Sequence, residues 1–358
     1  MNFVHRFVPS FLLVVGLINP AHGAVLLDED WDDGDRTDTN LPDESAWFAN
    51  SVGGTPTLTA AAGTLVGNVL MFETNTSSRL WITHFTPTGS PVELALGETL
   101  KATLTFSASN VTTSPATSRG LRFGLFNFSE PGAARVNADG FSTGGGGGAP
   151  GANVTGYLLN MNFAQSLSSS PLQIMKRTDT PNINLMGASA VYTGISSGGG
   201  ATAGTGFSNG ITYTLEFLVR RLESSVEITT KLSEAEGWSV AHTAQDFTIS
   251  TFRFDGFAIR PNSMMDVAES FAFSGFKVEL VPYELRVTAS HYRLPEGMTI
   301  TWNAEPGRTY QIEWRASLDT TDSWTLLNTV TASESSTSFT DLDAVFETRR
   351  FYRVVALP

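Results

Sequence analysis

Thr212-Tyr213-Thr214-Leu215-Glu216-Phe217, Thr103-Leu104-Thr105-Phe106-Ser107 and Ser225-Val226-Glu227-Ile228-Thr229 alternate polar and apolar residues with a period of two. Successive side chains of an extended chain point to opposite faces, so each stretch gives a strand with one apolar and one wet face. The alternation recurs from end to end between segments rich in Gly, Ser, Thr and Asn, and helical periodicity is hard to find. Strands are predicted near residues 25–29, 58–60, 69–73, 80–85, 100–107, 121–126, 157–162, 172–177, 211–222, 226–232, 251–259 and 271–281. Two large antiparallel sheets packed face to face bury so many half-apolar strands most simply, which makes the fold class all-β.

The 358 residues exceed the roughly 100 to 200 of an average domain, so one large β domain or two domains are expected. The sequence has no Cys, which removes disulfides, thiolate metal sites and lipidation at a cysteine. Stability must then come from buried area, which a chain of this length can supply. A net charge of −13, from 35 acidic and 22 basic residues, argues against nucleic acid and anionic membrane surfaces as partners. Solubility outside a cell accounts for the acidity without a specific role.

Residues 1–23 combine a weakly basic start (His5, Arg6), an apolar run from Phe11 to Leu17, the breaker Pro20 and Ala21-His22-Gly23 at the end. This is the layout of a signal peptide cleaved before Ala24, and it predicts a secreted, extracellular or cell-surface protein. The apolar run is too short to span a bilayer and no second one follows, so no membrane span is expected.

Two stretches lack a pattern, Thr143 to Ala152 and Ser196 to Gly206; both are Gly-rich and read as long loops, without the order of a phosphate-binding loop. A domain boundary is expected at Val281-Pro282-Tyr283, separating residues 24–281 from residues 282–358. Beyond it the turns come closer together, with strands predicted at 285–289, 298–303, 309–314, 324–330, 338–341 and 351–355. Trp302, Trp314 and Trp324, three of the seven tryptophans, fall there, as a compact core without disulfides requires.

Gly297-Met298-Thr299-Ile300-Thr301-Trp302, Tyr310-Gln311-Ile312-Glu313-Trp314, Thr337 to Asp341 and Phe351-Tyr352-Arg353-Val354-Val355-Ala356 together resemble a fibronectin type III module, a small immunoglobulin-like β-sandwich. The resemblance covers the last 75 or so residues and departs at Pro358, where a complete module would add one more strand. Residues 24–281 resemble a concanavalin A-like, laminin G-like (LamG) jelly roll of exported bacterial proteins, a two-sheet antiparallel sandwich. The residues that carry this are Trp31-Asp32-Asp33-Gly34-Asp35-Arg36, Leu121 to Phe126 and Phe271-Ala272-Phe273-Ser274-Gly275-Phe276-Lys277-Val278-Glu279. What the resemblance implies is glycan binding, sometimes with Ca²⁺, and in some relatives polysaccharide hydrolysis or elimination; the fold alone does not choose among them.

Catalysis finds little support. The Glu-x-Asp-x-x-Glu strand of laminarinase-like relatives is absent, and Glu223 and Glu227 lie on a predicted hairpin with ordinary spacing. Residues 24–358 hold only His84, His242 and His291, none in the Gln-x-His context of polysaccharide lyases. Gly194-Ile195-Ser196-Ser197-Gly198 fits the nucleophile-elbow pattern in form but has no following helix, so chance explains it. In the acidic segment Asp28 to Asp38, Gly34 comes one residue late for an EF-hand and Thr39 stands where its Glu belongs. Another kind of Ca²⁺ site is open to Asp28, Asp30, Asp32, Asp33 and Asp35, with full solvation as the competing state; no other cofactor is indicated.

One strand carries a sharper expectation. If Leu121, Phe123 and Leu125 face the core, then Arg122, Gly124 and Phe126 present a cation, a gap and an aromatic on the opposite face. Other strands offer candidates for the same ligand face, Tyr157 or else Asn160 and Asn162, then Lys176 or else Arg177, then Arg220 and Arg260, and only one face of each alternation can be right. Converging cations suit an acidic or sulfated glycan, and Phe126 or Tyr157 would stack on sugar; pairing of each Arg with a nearby carboxylate is the plainer alternative. The expected protein is thus an exported, non-catalytic binder of extracellular or cell-surface polysaccharide. A divergent polysaccharide-degrading enzyme and a purely structural or adhesive surface protein are the alternatives.

Overall fold

The computed structural model describes residues 23–52, 55–69, 79–113, 120–141, 150–177, 181–182, 184–186, 191–202, 204–262, 267–318, 323–346 and 349–357. Residues 1–22 of the expected signal peptide, residues 143–149 of the first Gly-rich loop and most of the strand predicted at 69–73 lie outside them. The chain divides into two compact units, one holding Gly23–Val281 and the other Pro282–Pro358.

In the larger unit an eight-stranded antiparallel sheet runs in the order Ser239–Asp246, Val226–Glu234, Tyr213–Arg221, Thr99–Ser109, Ser270–Val281, Thr64–Asn68, Leu58–Ala61, with Ala24–Glu29 also paired to Ser270–Val281. A seven-stranded sheet runs Tyr192–Gly198, Leu172–Arg177, Thr155–Met161, Leu121–Asn127, Gly256–Pro261, Trp81–His84, Trp47–Ala49. The architecture is the all-β sandwich that the alternation predicts. Tyr192–Gly198 is a strand, which shortens the loop expected from Ser196 to Gly206.

One apolar stripe per strand meets its counterpart between the sheets. Leu121, Phe123 and Leu125 bury against Leu104, Phe106, Leu215, Phe217, Phe271 and Phe273. The Ser270–Val281 strand keeps its rings inward only because its register shifts between Phe273 and Gly275: Phe271 and Phe273 precede the shift, Phe276 and Val278 follow it, and all four are buried. One extra residue restores the phase that strict alternation would have lost. Gly67 is required for a different reason, since a Cβ there would lie 2.3 Å from the Trp81 ring seated on it.

The seven-stranded sheet is buried on its outer face as well. Ile82, Phe126, Leu158, Met175 and Ala258 point away from the main core and are covered by Phe128, Val136, Val154, Leu185, Met186 and Val191. A strand buried on both faces loses its alternation, as the unbroken run Tyr157-Leu158-Leu159 shows.

The smaller unit pairs Val287–Arg293, Gly297–Asn303 and Ser336–Asp341 in one sheet, and Thr325–Thr331, Thr309–Arg315 and Phe351–Ala356 in another. Its own core holds Ile300, Trp302, Tyr310, Ile312, Tyr352 and Val354. The Tyr352 hydroxyl donates to Asp341, which also pairs with Arg350 at 2.6 Å. Because this core is separate, Trp302→Ala, at a fully buried ring, is expected to destabilise the small unit by about 3–5 kcal/mol. Differential scanning calorimetry should show its transition lost and that of the larger unit kept; loss of both together would show one folding unit.

Candidate functional site

The outer face of the seven-stranded sheet divides into two halves. Toward one end of the strands it is apolar and covered, as described above. Toward the other, register alone sets a row of polar side chains side by side: Arg260 opposite Arg122, Arg122 opposite Asn160, Asn160 opposite Gln173, and Gln173 opposite Ser197. Arg122 Nε donates to Asn160 Oδ1 at 3.2 Å, and Asn160 Nδ2 donates to Gln173 Oε1 at 3.2 Å. The first four are half-buried and Ser197 is exposed, so the row is reachable from solvent.

The two arginines share an acceptor. Arg122 Nη1 and Arg260 Nη1 donate to the Met186 carbonyl at 2.7 and 2.5 Å. Burial and the adjacent Arg122 charge bring the Arg260 guanidinium down to about 10, still protonated at neutral pH. Like charges directly opposite each other on neighbouring strands are unfavourable, and the Met186 carbonyl shared by the two guanidinium groups offsets part of that repulsion.

Of the residues predicted for the ligand face, the structure brings Arg122, Asn160 and Arg260 side by side and not the others. Phe126 is fully buried under the covering segments. The recess expected at Gly124 is filled by that same ring, since a Cβ there would lie 2.3 Å from Phe126 Cε2. Tyr157 points into the main core, where its hydroxyl donates to Asp246 at 3.2 Å and accepts from Ser250 N at 3.0 Å. Lys176 is buried on that same inner side, its ammonium 2.7 Å from Asp246 Oδ1 and also donating to Thr248. Asn162 is on the outer face but buried, accepting from Ser168 Oγ. On the Leu172–Arg177 strand the outward cation is therefore Arg177, which is spent on main-chain oxygens: Asn184, Leu185, Gly151 and Asn182 all accept from it. Arg220 belongs to the other sheet, 3.9 Å from Glu227. Gln173 was not foreseen, although it lies two and four residues before Met175 and Arg177 and so shares their face.

The acidic segment is also rearranged relative to expectation. Asp28 pairs with Lys277 at 3.2 Å, while Asp30 and Asp33 accept from the backbone of Asp32 and Asp35, and Asp35 caps Thr37. Of the five predicted ligands only Asp33 joins a convergent group, with Asp38 and Glu44, whose carboxylate oxygens lie within 4.8 Å of one another. Such a group can hold a metal ion. Partial desolvation, then Asp33 and Asp38, raise the Glu44 carboxyl. Glu29 lies beneath, buried, accepting from Trp31 N at 3.1 Å and Ser45 N at 3.0 Å.

Ser196 meets a histidine. His242 Nε2 is 3.0 Å from Ser196 Oγ where the edge strands of the two sheets approach. The ring lies on Gly198, whose added Cβ would sit 2.3 Å from His242 Nδ1, so the place where an orienting carboxylate would stand is taken. Ser196 and His242 thus form a hydrogen-bonded pair whose imidazole Nδ1 lies against Gly198.

Neither the family models nor the curated proteins include a match to this chain. Among solved structures, lectin II from Ulex europaeus is 12% identical over 69% of this chain and 96% of its own, with a TM-score of 0.37. The metal-free lectin I-B4 from Griffonia simplicifolia is 11% identical over 68% and 95%, at 0.38, and the Emp47p carbohydrate recognition domain 10% identical over 72% and 96%, at 0.37. Overlap at this level leaves the ligand of this chain to be argued from its own residues. No helix among the described residues is long and apolar enough to cross a membrane.

Burial raises the Glu29 carboxyl from its ordinary 4.5 to about 7. Between those values the folded protein holds a proton that the unfolded chain has lost, so stability from this group falls as pH rises through that window. Denaturant midpoints measured from pH 4 to 8 should therefore show a downward component that Glu29→Gln removes; parallel curves for the two proteins would refute the assignment.

Proposed function

We propose that this is an exported, non-catalytic carbohydrate-binding protein whose larger unit, a laminin G-like domain, holds an acidic polysaccharide against the Arg260–Arg122–Asn160–Gln173 row. The smaller unit, fibronectin III-like in this reading, acts as an accessory module. The observation that carries the proposal is the pair of guanidinium groups set side by side on a half-exposed sheet and continued by two amides. A carboxylate or sulfate between the arginines relieves their repulsion, and planar amides supply both donors and acceptors for sugar hydroxyls. The solved structures with overlapping folds include the lectin UEA-II complexed with galactose, which is in keeping with this reading without bearing its weight.

A charge-assisted hydrogen bond contributes about 1.5–3 kcal/mol, so Arg122→Ala is expected to weaken binding to uronate-containing or sulfated glycans roughly ten- to a hundredfold. Gln173→Ala should weaken it less, and raised salt should weaken it in the wild type. A glycan array followed by calorimetry on the retained glycans measures this. Retention of no glycan, or equal affinity in the Arg122 variant with its melting temperature unchanged, would remove the proposal, and turnover of a bound glycan would replace it with an enzyme.

The ion we assign to Asp33, Asp38 and Glu44 is Ca²⁺, which takes hard oxygen donors in flexible geometry. Adding Ca²⁺ to chelator-treated protein should raise the melting temperature of the larger unit, because a ligand of the folded state alone stabilises it. A flat response would assign the segment to solvent.

A further inference from the structure

A cleft of about 510 Å³ opens beside the Trp47–Ala49 and Trp81–His84 strands. It lies near His84, which pairs with Gly256, four residues along the strand from Arg260 and so about 13 Å away from the polar row. Its volume is in the range of small-ligand pockets, roughly 300–1,000 Å³. Leu41, Phe48 and Val136 give it an apolar lining, and Thr88, Asn137 and Arg135 a polar one.

The walls are tied together before any ligand arrives. Arg135 Nη2 donates to the Thr86 carbonyl at 2.5 Å, His84 Nε2 is 3.1 Å from the Val136 carbonyl, and Ser45 Oγ donates to the His84 carbonyl at 2.5 Å. Below them Asp139 pairs with Arg36 at 2.6 Å and accepts from Ala49 N at 2.9 Å, while Gly140 N donates back to the Ala49 carbonyl. Three separate chain segments are thus held in one arrangement around the space.

Arg135 is not fully used by that arrangement. Its Nη1 is buried and has no hydrogen-bond partner. The nearby Asp255 attracts it through space, but the Asp255 oxygens accept from Phe128 N at 2.7 Å and Ser129 Oγ at 2.6 Å. His84 adds no charge, because burial and the Arg135 charge bring it down to about 3. Arg135 is therefore the cation among the lining residues, with a donor whose bond to water was given up and not replaced, which is costly. The Arg135 side chain lines the cleft, where a carboxylate is the complementary partner for its charge.

We infer that this cleft is a binding site for a compact organic carboxylate, with the carboxylate on Arg135 and the carbon skeleton against Phe48, Leu41 and Val136. The inference does not depend on the polar row, and the two sites separate by mutation. Sodium glucuronate serves as the probe and glucose as its neutral counterpart, titrated by calorimetry into the full chain. Glucuronate should bind saturably and glucose at least tenfold more weakly. Titrations are made in the Arg122→Ala background, which removes the polar row's own affinity for a uronate; there Arg135→Met should weaken glucuronate tenfold or more. Because Arg135→Met also removes a tie to Thr86, Asn137→Asp provides a second arm: it alters an exposed side chain, keeps Arg135, and should weaken glucuronate through repulsion at an unchanged melting temperature. Equal affinity for the two sugars, absence of saturable binding, or unaltered affinity in both Arg135→Met and Asn137→Asp would each overturn the inference.

Discussion

Aromatic rings packed between two sheets substitute for covalent cross-links in this cysteine-free chain, and Phe106 is where they meet. Its ring contacts Phe123, Phe163, Phe207, Tyr213, Phe271 and Phe273 at centroid distances from 6.0 to 6.5 Å. Those partners come from both sheets and from two connecting segments, so a single side chain couples strands far apart in sequence. Rings at these distances contribute beyond their buried area, and their tilts leave little freedom to slide. Every placement on the outer face inherits this constraint, because Arg122 and Asn160 point outward only while Phe123 and Leu159 point in.

The second apolar layer changes what the outward residues can do. Cations expected to await a ligand have partly been drawn into holding the cover: Arg177 is ringed by carbonyl oxygens, and Arg122 and Arg260 both reach Met186. Main-chain oxygens in an irregular segment need donors once water is excluded, and guanidinium groups supply several at once. What stays half-open on the outer face is the strip that runs from these two arginines through Asn160 and Gln173.

The strands were legible because a sheet with one wet face writes its period into the sequence, as in Tyr213-Thr214-Leu215-Glu216-Phe217. Phase was lost where both faces are buried. Tyr157 and Leu158 are equally apolar, and only the register with Leu125 and Gly124 decides which of them faces the core. The same ambiguity left Lys176 and Arg177 as alternatives and hid Gln173. Tyr192–Gly198 was hidden by its Gly and Ser content, since an edge strand with exposed side chains needs no apolar stripe. Asp38 and Glu44 were missed as companions of Asp33 because a turn brings them together, and spacing in sequence does not encode that approach.

The position of the Ser270–Val281 strand has a consequence for how the larger unit comes into being. It lies inside the eight-stranded sheet, with Thr99–Ser109 on one side and both Thr64–Asn68 and Ala24–Glu29 on the other, yet it is the last strand of its unit in the sequence. During vectorial synthesis the sheet therefore lacks an interior member until nearly the whole unit has emerged, and the first strand has nothing to pair with until the last arrives. Closing loops of that length makes assembly slow and late. A chain that cannot finish folding early stays extended long enough to be threaded through a narrow translocation channel, so the strand order itself suits the export proposed for this protein.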